Sequence, residues 1–75
     1  MTVILYKSAT CPQCKVAKMM LERAGIPFTE EMDMAVMESR GVKSIPTLEV
    51  DGERINKITE INKWIKAHAQ ENPNG

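Results

Sequence analysis

Val3-Ile4-Leu5-Tyr6 is a run of β-branched and aromatic residues with no polar alternation, the pattern of a central strand buried on both faces. Such a strand belongs inside a sheet with other layers packed over it. Only 75 residues are available to build those layers, so a single domain with one simple core is expected, near the lower size at which a core holds without metals or several disulfides. Apolar residues make up 43% and charged residues 27%, with ten Lys plus Arg against ten Asp plus Glu. That balance places the chain among globular proteins and argues against a nucleic-acid binder.

The longest apolar run is too short to cross a bilayer, and Met1-Thr2-Val3-Ile4-Leu5 lacks the basic flank and cleavage site of a secretory signal. The expectation is a cytoplasmic protein without a membrane partner. Two cysteines separated by two residues cannot staple distant parts of a fold. In a reducing compartment such a pair is catalytic or metal-binding more often than structural.

Along the chain, Pro12 to Ala24 carries Val16, Ala17, Met20, Leu21 and Ala24 at helical spacing, with Pro12 suited to the first helical position and Gly25 to the stop. Ile26 to Glu31 reads as a second strand, which Pro27 restricts to an edge or to its own first residue. Strand, helix and strand imply a right-handed βαβ unit. Asp33 to Arg40 has room for about two helical turns before Gly41. Thr47 to Val50 and Glu53 to Ile55 flank Asp51-Gly52, a hairpin signal of the type I′ kind. Ile58, Ile61, Trp64 and Ile65 mark the apolar face of a last helix from about Thr59 to Ala69, capped by Thr59 or Asn56. Glu71 to Gly75 reads as a disordered polar tail. The order β-α-β-α-β-β-α describes an α/β fold, a mixed sheet with helices on its faces.

The dithiol Cys11-Pro12-Gln13-Cys14 falls where the first strand meets its helix. With Pro12 as the first helical residue, Cys11 becomes the N-cap and Cys14 lies in the first turn on nearly the same side. Unpaired backbone N–H groups and the positive end of the helix dipole favour a thiolate at Cys11, the nucleophilic form. Lys7, Lys15 and Lys18 add positive potential as flexible, exposed cations of smaller effect. Cys14, deeper in the helix, is placed to resolve a mixed disulfide on Cys11. The competing reading is a zinc half-site within a metal-binding or partner-binding module. Only His68 remains as a further ligand of the usual kind, whereas tetrahedral closure needs four.

Tyr6-Lys7-Ser8-Ala9-Thr10-Cys11-Pro12-Gln13-Cys14 resembles the active-site stretch of glutaredoxins, with Gln13 in place of their usual aromatic residue. Gly41-Val42-Lys43-Ser44-Ile45-Pro46-Thr47-Leu48 is similar to the segment in which thioredoxins and glutaredoxins carry a cis-proline. The resemblance implies a minimal thioredoxin fold over residues 1–70, with a four-stranded mixed sheet, three flanking helices and a cis bond between Ile45 and Pro46 against the dithiol. It also implies a monomeric thiol-disulfide oxidoreductase of protein disulfides with Cys11 and Cys14 catalytic. Pro12, Gln13, Ile45 and Pro46 would then meet the substrate. No bound cofactor is expected beyond the redox-active Cys11–Cys14 disulfide itself.

Dithiol glutaredoxins carry a Gly-Gly pair and acidic residues where they hold glutathione. The matching stretch here is Ile55-Asn56-Lys57-Ile58-Thr59-Glu60, in which the helix start near Thr59 is the remaining place to attract a carboxylate. The small redoxins that reduce ribonucleotide reductase also lack a full glutathione site, and take electrons from thioredoxin reductase. The chain resembles them in size but has no Trp-Ser-Gly-Phe-Arg stretch. Thioredoxin reductase and glutathione are thus the two electron sources implied, and ribonucleotide reductase is one substrate.

Other residues have plainer expected roles. The six methionines fill irregular gaps in a small core. His68 sits at a helix end, Trp64 packs at the core edge, and Glu30, Glu31 and Asp33 form a solvated strand end.

Overall fold

Leu5 and Tyr6 are fully buried, as the unbroken apolar run of the first strand requires. A computed structural model describes residues 1–69. They form β1 (Val3–Tyr6), α1 (Pro12–Arg23), β2 (Thr29–Glu31), α2 (Met34–Ser39), β3 (Thr47–Val50), β4 (Glu53–Ile55) and α3 (Ile58–His68). The expected tail, 71–75, lies outside the described residues.

The sheet order is β2-β1-β3-β4. β1 pairs in parallel with β2, with Leu5 opposite Glu30, and antiparallel with β3, with Tyr6 opposite Thr47. β4 closes the other edge antiparallel to β3. Across Asp51-Gly52 both residues have positive φ, 49° and 91°, which is what a type I′ turn demands and what glycine accepts without strain. The architecture is a thioredoxin-like α/β fold.

One face of the sheet carries the main core. Val3, Leu5 and Leu48 meet Ala17, Leu21 and Ala24 of α1 and its C-cap, together with Ile26 and Ile61 and Ile65 of α3. On α1 the buried residues are Cys14, Ala17 and Leu21, three and four positions apart along one stripe. Val16 lies off that stripe and is 49% exposed, a correction to its expected place on the apolar face. Tyr6 projects to the opposite face, because alternate strand residues point to opposite sides. There it meets Arg40, the C-cap of α2.

The remaining differences from the sequence reading are at element ends. The second strand begins at Thr29 rather than Ile26. Pro27 lacks the N–H a ladder needs, and the shortened strand lies at the edge as expected. Asp33 is the N-cap of α2, its carboxylate accepting from the Ala35 and Val36 amides at 2.8 and 3.4 Å. It is therefore a capping residue and not a solvated strand end. The last helix begins at Ile58 and is N-capped by Lys57 without a side-chain hydrogen bond, so neither Thr59 nor Asn56 caps it. The link after β4 is Asn56-Lys57, and with the helix starting at Ile58 the cap position falls one residue past Asn56 and two before Thr59. Met37 is buried, but Met34 is 70% and Met32 46% exposed, so the methionines divide between core and surface.

Replacing Leu5 by Ala removes buried side-chain volume from the centre of this sheet and is expected to cost about 2–5 kcal/mol. Urea denaturation checks this, and a loss under about 1 kcal/mol would mean the site is not close-packed.

Candidate active site at the start of helix α1

Cys11 is the N-cap of α1, with extended φ and ψ of −95° and 112°. Its carbonyl accepts the first intrahelical bond from the Lys15 amide at 3.2 Å. Its sulfur accepts from the Cys14 amide at 3.2 Å. The chain thus puts a sulfur where Ser or Asp would ordinarily cap a helix. Charge that develops on that sulfur faces a backbone N–H and the positive end of the helix. Pro12 occupies the first helical position, and Pro12 and Gln13 are exposed beside the half-buried Cys11.

Cys14 is fully buried and, like Cys11, is a free thiol. Its pKa is pushed up to about 11, first by burial and then by a hydrogen bond to the Cys11 sulfur. A hydrogen bond from the Ser8 backbone works in the other direction, charge on Cys11 raises the value further, and the Lys7 ammonium lowers it slightly. The two sulfurs therefore differ in kind: one is reachable and amide-bound, the other enclosed and protonated at neutral pH.

Lys7 is not the flexible, exposed cation expected. It is 8% exposed, and its Nζ lies 2.7 Å from Glu30 Oε1. Lys18 Nζ reaches the other oxygen of Glu30 at 3.4 Å. The register explains this. Leu5 stands opposite Glu30, and Lys7, two residues beyond Leu5, points to the same face, toward α1. Glu30 was read as solvated, yet it receives both cations, and the hydrogen bond from Lys7 holds its carboxyl below the ordinary carboxylate range. The signal that would have found it is the parallel pairing of β2 with β1. Lys15 stays exposed in the first turns of α1.

Ile45-Pro46 is cis, with Pro46 buried and Ile45 half-buried. Thr47 pairs with Tyr6, so the entry to β3 and the 7–11 loop lie at the same end of the sheet. The Thr47 hydroxyl donates to the Ser44 carbonyl at 2.7 Å. Among the described residues, Ile45 makes no backbone hydrogen bond. Beside it lies an open groove of about 500 Å³ walled by Met34, Met37, Val42 and Ile45. β4 runs in the same direction as β1, so the start of α3 and the exposed Thr59 also come to this end. His68 is exposed, its Nδ1 2.9 Å from the Trp64 carbonyl and its ring stacked on Trp64 at 4.3 Å. Among the described residues no three His, Cys, Asp or Glu side chains converge to hold a metal ion, and no helix is long and apolar enough to cross a membrane.

Fold and site together define a thiol-redox protein of the thioredoxin-like class. The glutaredoxin family model matches residues 3–55, and the chain belongs to the glutaredoxin family. No curated protein matches the sequence. Among solved structures, glutathione transferase Omega 2S from Trametes versicolor is similar with a TM-score of 0.77 at 15% identity, over 96% of this chain and 40% of that one. A glutathione S-transferase from Ascaris lumbricoides is similar at 0.73 and 20%, over 97% and 40%. The thioredoxin-like protein BC3987 matches at 0.70 and 22%, over 85% of this chain and 99% of that one. This chain spans about two fifths of the length of those transferases.

Iodoacetamide at neutral pH is expected to modify Cys11 and leave Cys14 unmodified, with Cys14 labelling rising only as pH approaches 11. Peptide mass spectrometry of the labelled chain checks this, and equal labelling at neutral pH would contradict the difference between the sulfurs. A second expectation concerns acid. With its carboxyl held below the ordinary value of 4.5, Glu30 binds fewer protons in the folded chain than in the unfolded one. Its stabilisation is present above that value and is lost as pH falls through the folded pKa. Glu30→Gln should therefore flatten the acid limb of the urea midpoint against pH. An unchanged slope would exclude the pairing.

Proposed function

We propose that this chain is a dithiol oxidoreductase that reduces protein disulfides through Cys11, with Cys14 resolving. The observation that carries the reading is the asymmetry of the two thiols, with Cys11 capping α1 and Cys14 enclosed behind it. The Cys11 thiolate attacks one sulfur of the substrate disulfide. That bond breaks, half of the substrate stays on Cys11, and the other half leaves as a thiolate that takes a proton from solvent. Cys14 then releases its proton and attacks Cys11, so that the Cys11–Cys14 disulfide forms and the second substrate thiol departs. Two electrons and two protons pass to the substrate.

Ile45 meets the substrate with its unpaired backbone groups, in the manner of strand addition, and Pro46, Pro12 and Gln13 border the approach to Cys11. Lys7 and Lys15 supply positive potential, Lys7 as a buried cation under the dithiol. The chain works in the cytoplasm as a monomeric domain of residues 1–70, on disulfide-bearing proteins of which ribonucleotide reductase is one.

Electrons come from glutathione or thioredoxin reductase. Family membership supports glutathione, since glutaredoxins use it as reductant. The start of α3, with no glycine and with Lys57 at the cap, supports the reductase. Thr59, at the second position of that helix, is the residue a glutathione carboxylate would meet.

With insulin as the disulfide and dithiothreitol as reductant, Cys11→Ser is expected to abolish turnover, and Cys14→Ser to accumulate a mixed disulfide. Full turnover by Cys11→Ser would end this reading. NADPH oxidation assayed with thioredoxin reductase, and separately with glutathione and its reductase, assigns the donor. Failure with both would rule out both.

A further inference from the structure

Tyr6 holds a polar cluster that the dithiol chemistry does not use. Its side chain is fully buried, and its hydroxyl donates to Glu49 Oε1 at 3.1 Å and accepts from Arg40 Nη1 at 3.1 Å. Glu49 is also bound by Arg54 Nε at 2.9 Å, and the Arg54 guanidinium lies 6.0 Å from the Tyr6 ring centroid. No buried side-chain nitrogen or oxygen among the described residues is left without a partner. This is a connected network on the sheet face opposite the main core, running from the buried Tyr6 hydroxyl outward to Arg40 and Arg54 at the surface.

The connectivity matters more than the count of bonds. Arg40 is the last residue before the loop 41–46, and Thr47 is the first residue after it. The Tyr6 hydroxyl binds Arg40, while the Tyr6 backbone pairs with Thr47. One residue therefore fixes both ends of the loop that carries Ile45 and Pro46. The same residue ends β1 and opens the segment leading to Cys11. Contact with Tyr6 is the main reason the Arg40 guanidinium holds its proton more tightly than usual. Glu49 is kept below its ordinary range by Arg54 first and by Tyr6 after it.

We propose that Tyr6 is a positioning residue: through its hydroxyl and Arg40 it sets the substrate-docking loop 41–46 in register with Cys11. The proposal rests on the redox reading for its consequence, because the loop matters only to substrates large enough to lie along it. Neither Tyr6 nor Arg40 touches the reacting sulfurs. Freeing one end of the loop should weaken docking of a protein disulfide and leave the chemistry of Cys11 as it was. A disulfide too small to reach Ile45 should not register the change.

Three variants test this: Tyr6→Phe, which removes only the hydroxyl; Arg40→Ala, which removes its partner from the surface side; and Arg40→Lys, which keeps a donor. Each is assayed on insulin and on hydroxyethyl disulfide with dithiothreitol as reductant, and each is alkylated at Cys11 with iodoacetamide. Tyr6→Phe and Arg40→Ala are expected to raise KM for insulin about three- to tenfold, the effect of one lost hydrogen bond. Their kcat, their rates on hydroxyethyl disulfide and their alkylation rates stay within about twofold of the parent. Arg40→Lys recovers most of the KM. An unchanged KM, or a parallel fall in kcat and alkylation, would overturn the proposal.

Amide hydrogen exchange at Val42, whose N–H donates to the Met37 carbonyl at 2.8 Å, gives a readout independent of turnover. It should quicken in Tyr6→Phe and Arg40→Ala but not in Arg40→Lys, and equal exchange in all three would overturn the clamp. If the parent chain itself left insulin oxidised, the redox reading would fail, and the exchange data would still judge the clamp.

Discussion

The position of β1 between β2 and β3 is the constraint on which everything else in the molecule depends. Because β1 pairs on both edges, its four residues have no free ladder and must be apolar or internally satisfied on both faces. Leu5 closes the main core, while Tyr6 closes the opposite face through its hydroxyl. The two pairings also decide what lies at the C-terminal end of the strand. Parallel β2 brings Glu30 to Lys7, and antiparallel β3 brings the loop of Ile45 and Pro46 alongside the segment leading to Cys11.

A single sulfur then carries two roles. Cys11 satisfies an orphan amide at the start of α1 and, in the proposed reaction, is the attacking atom. The capping geometry that secures the helix also sets that sulfur against the Cys14 amide at the positive end of the helix. Cys14, one helical step further on, is buried by the same packing of Ala17 and Leu21 that anchors α1 to the sheet. Burial raises its pKa, and in the proposed reaction it acts once a mixed disulfide brings an electrophilic sulfur within reach.

Sequence patterns carried most of this because the elements are short and sharply punctuated. Strands β1, β3 and β4 have the bounds read from Val3–Tyr6, Thr47–Val50 and Glu53–Ile55, since branched residues and Asp51-Gly52 leave little freedom. Pro12 and Gly25 likewise bracket α1. What could not be read is what pairing creates. Nothing local to Glu30 says that Lys7 will be its partner, and nothing local to Tyr6 says that Arg40, 34 residues away, will bind its hydroxyl. Asn56 and Thr59 look like caps by residue type, but the tight passage from β4 puts Lys57 there instead. Val16 has the hydrophobicity of a core residue and the wrong angle for one.

The dithiol assignment comes down to how many leaving groups one reduced chain releases. A reduced chain mixed with an excess of a chromogenic aromatic disulfide, in the absence of any other reductant, reports this directly through the liberated aryl thiol. Attack by Cys11 followed by resolution from Cys14 releases two equivalents per chain and leaves an intramolecular Cys11–Cys14 disulfide, seen in the intact mass as a loss of two hydrogens. Release of one equivalent with the aryl group retained on the chain would show that Cys14 does not resolve, and release of none would show that Cys11 does not attack.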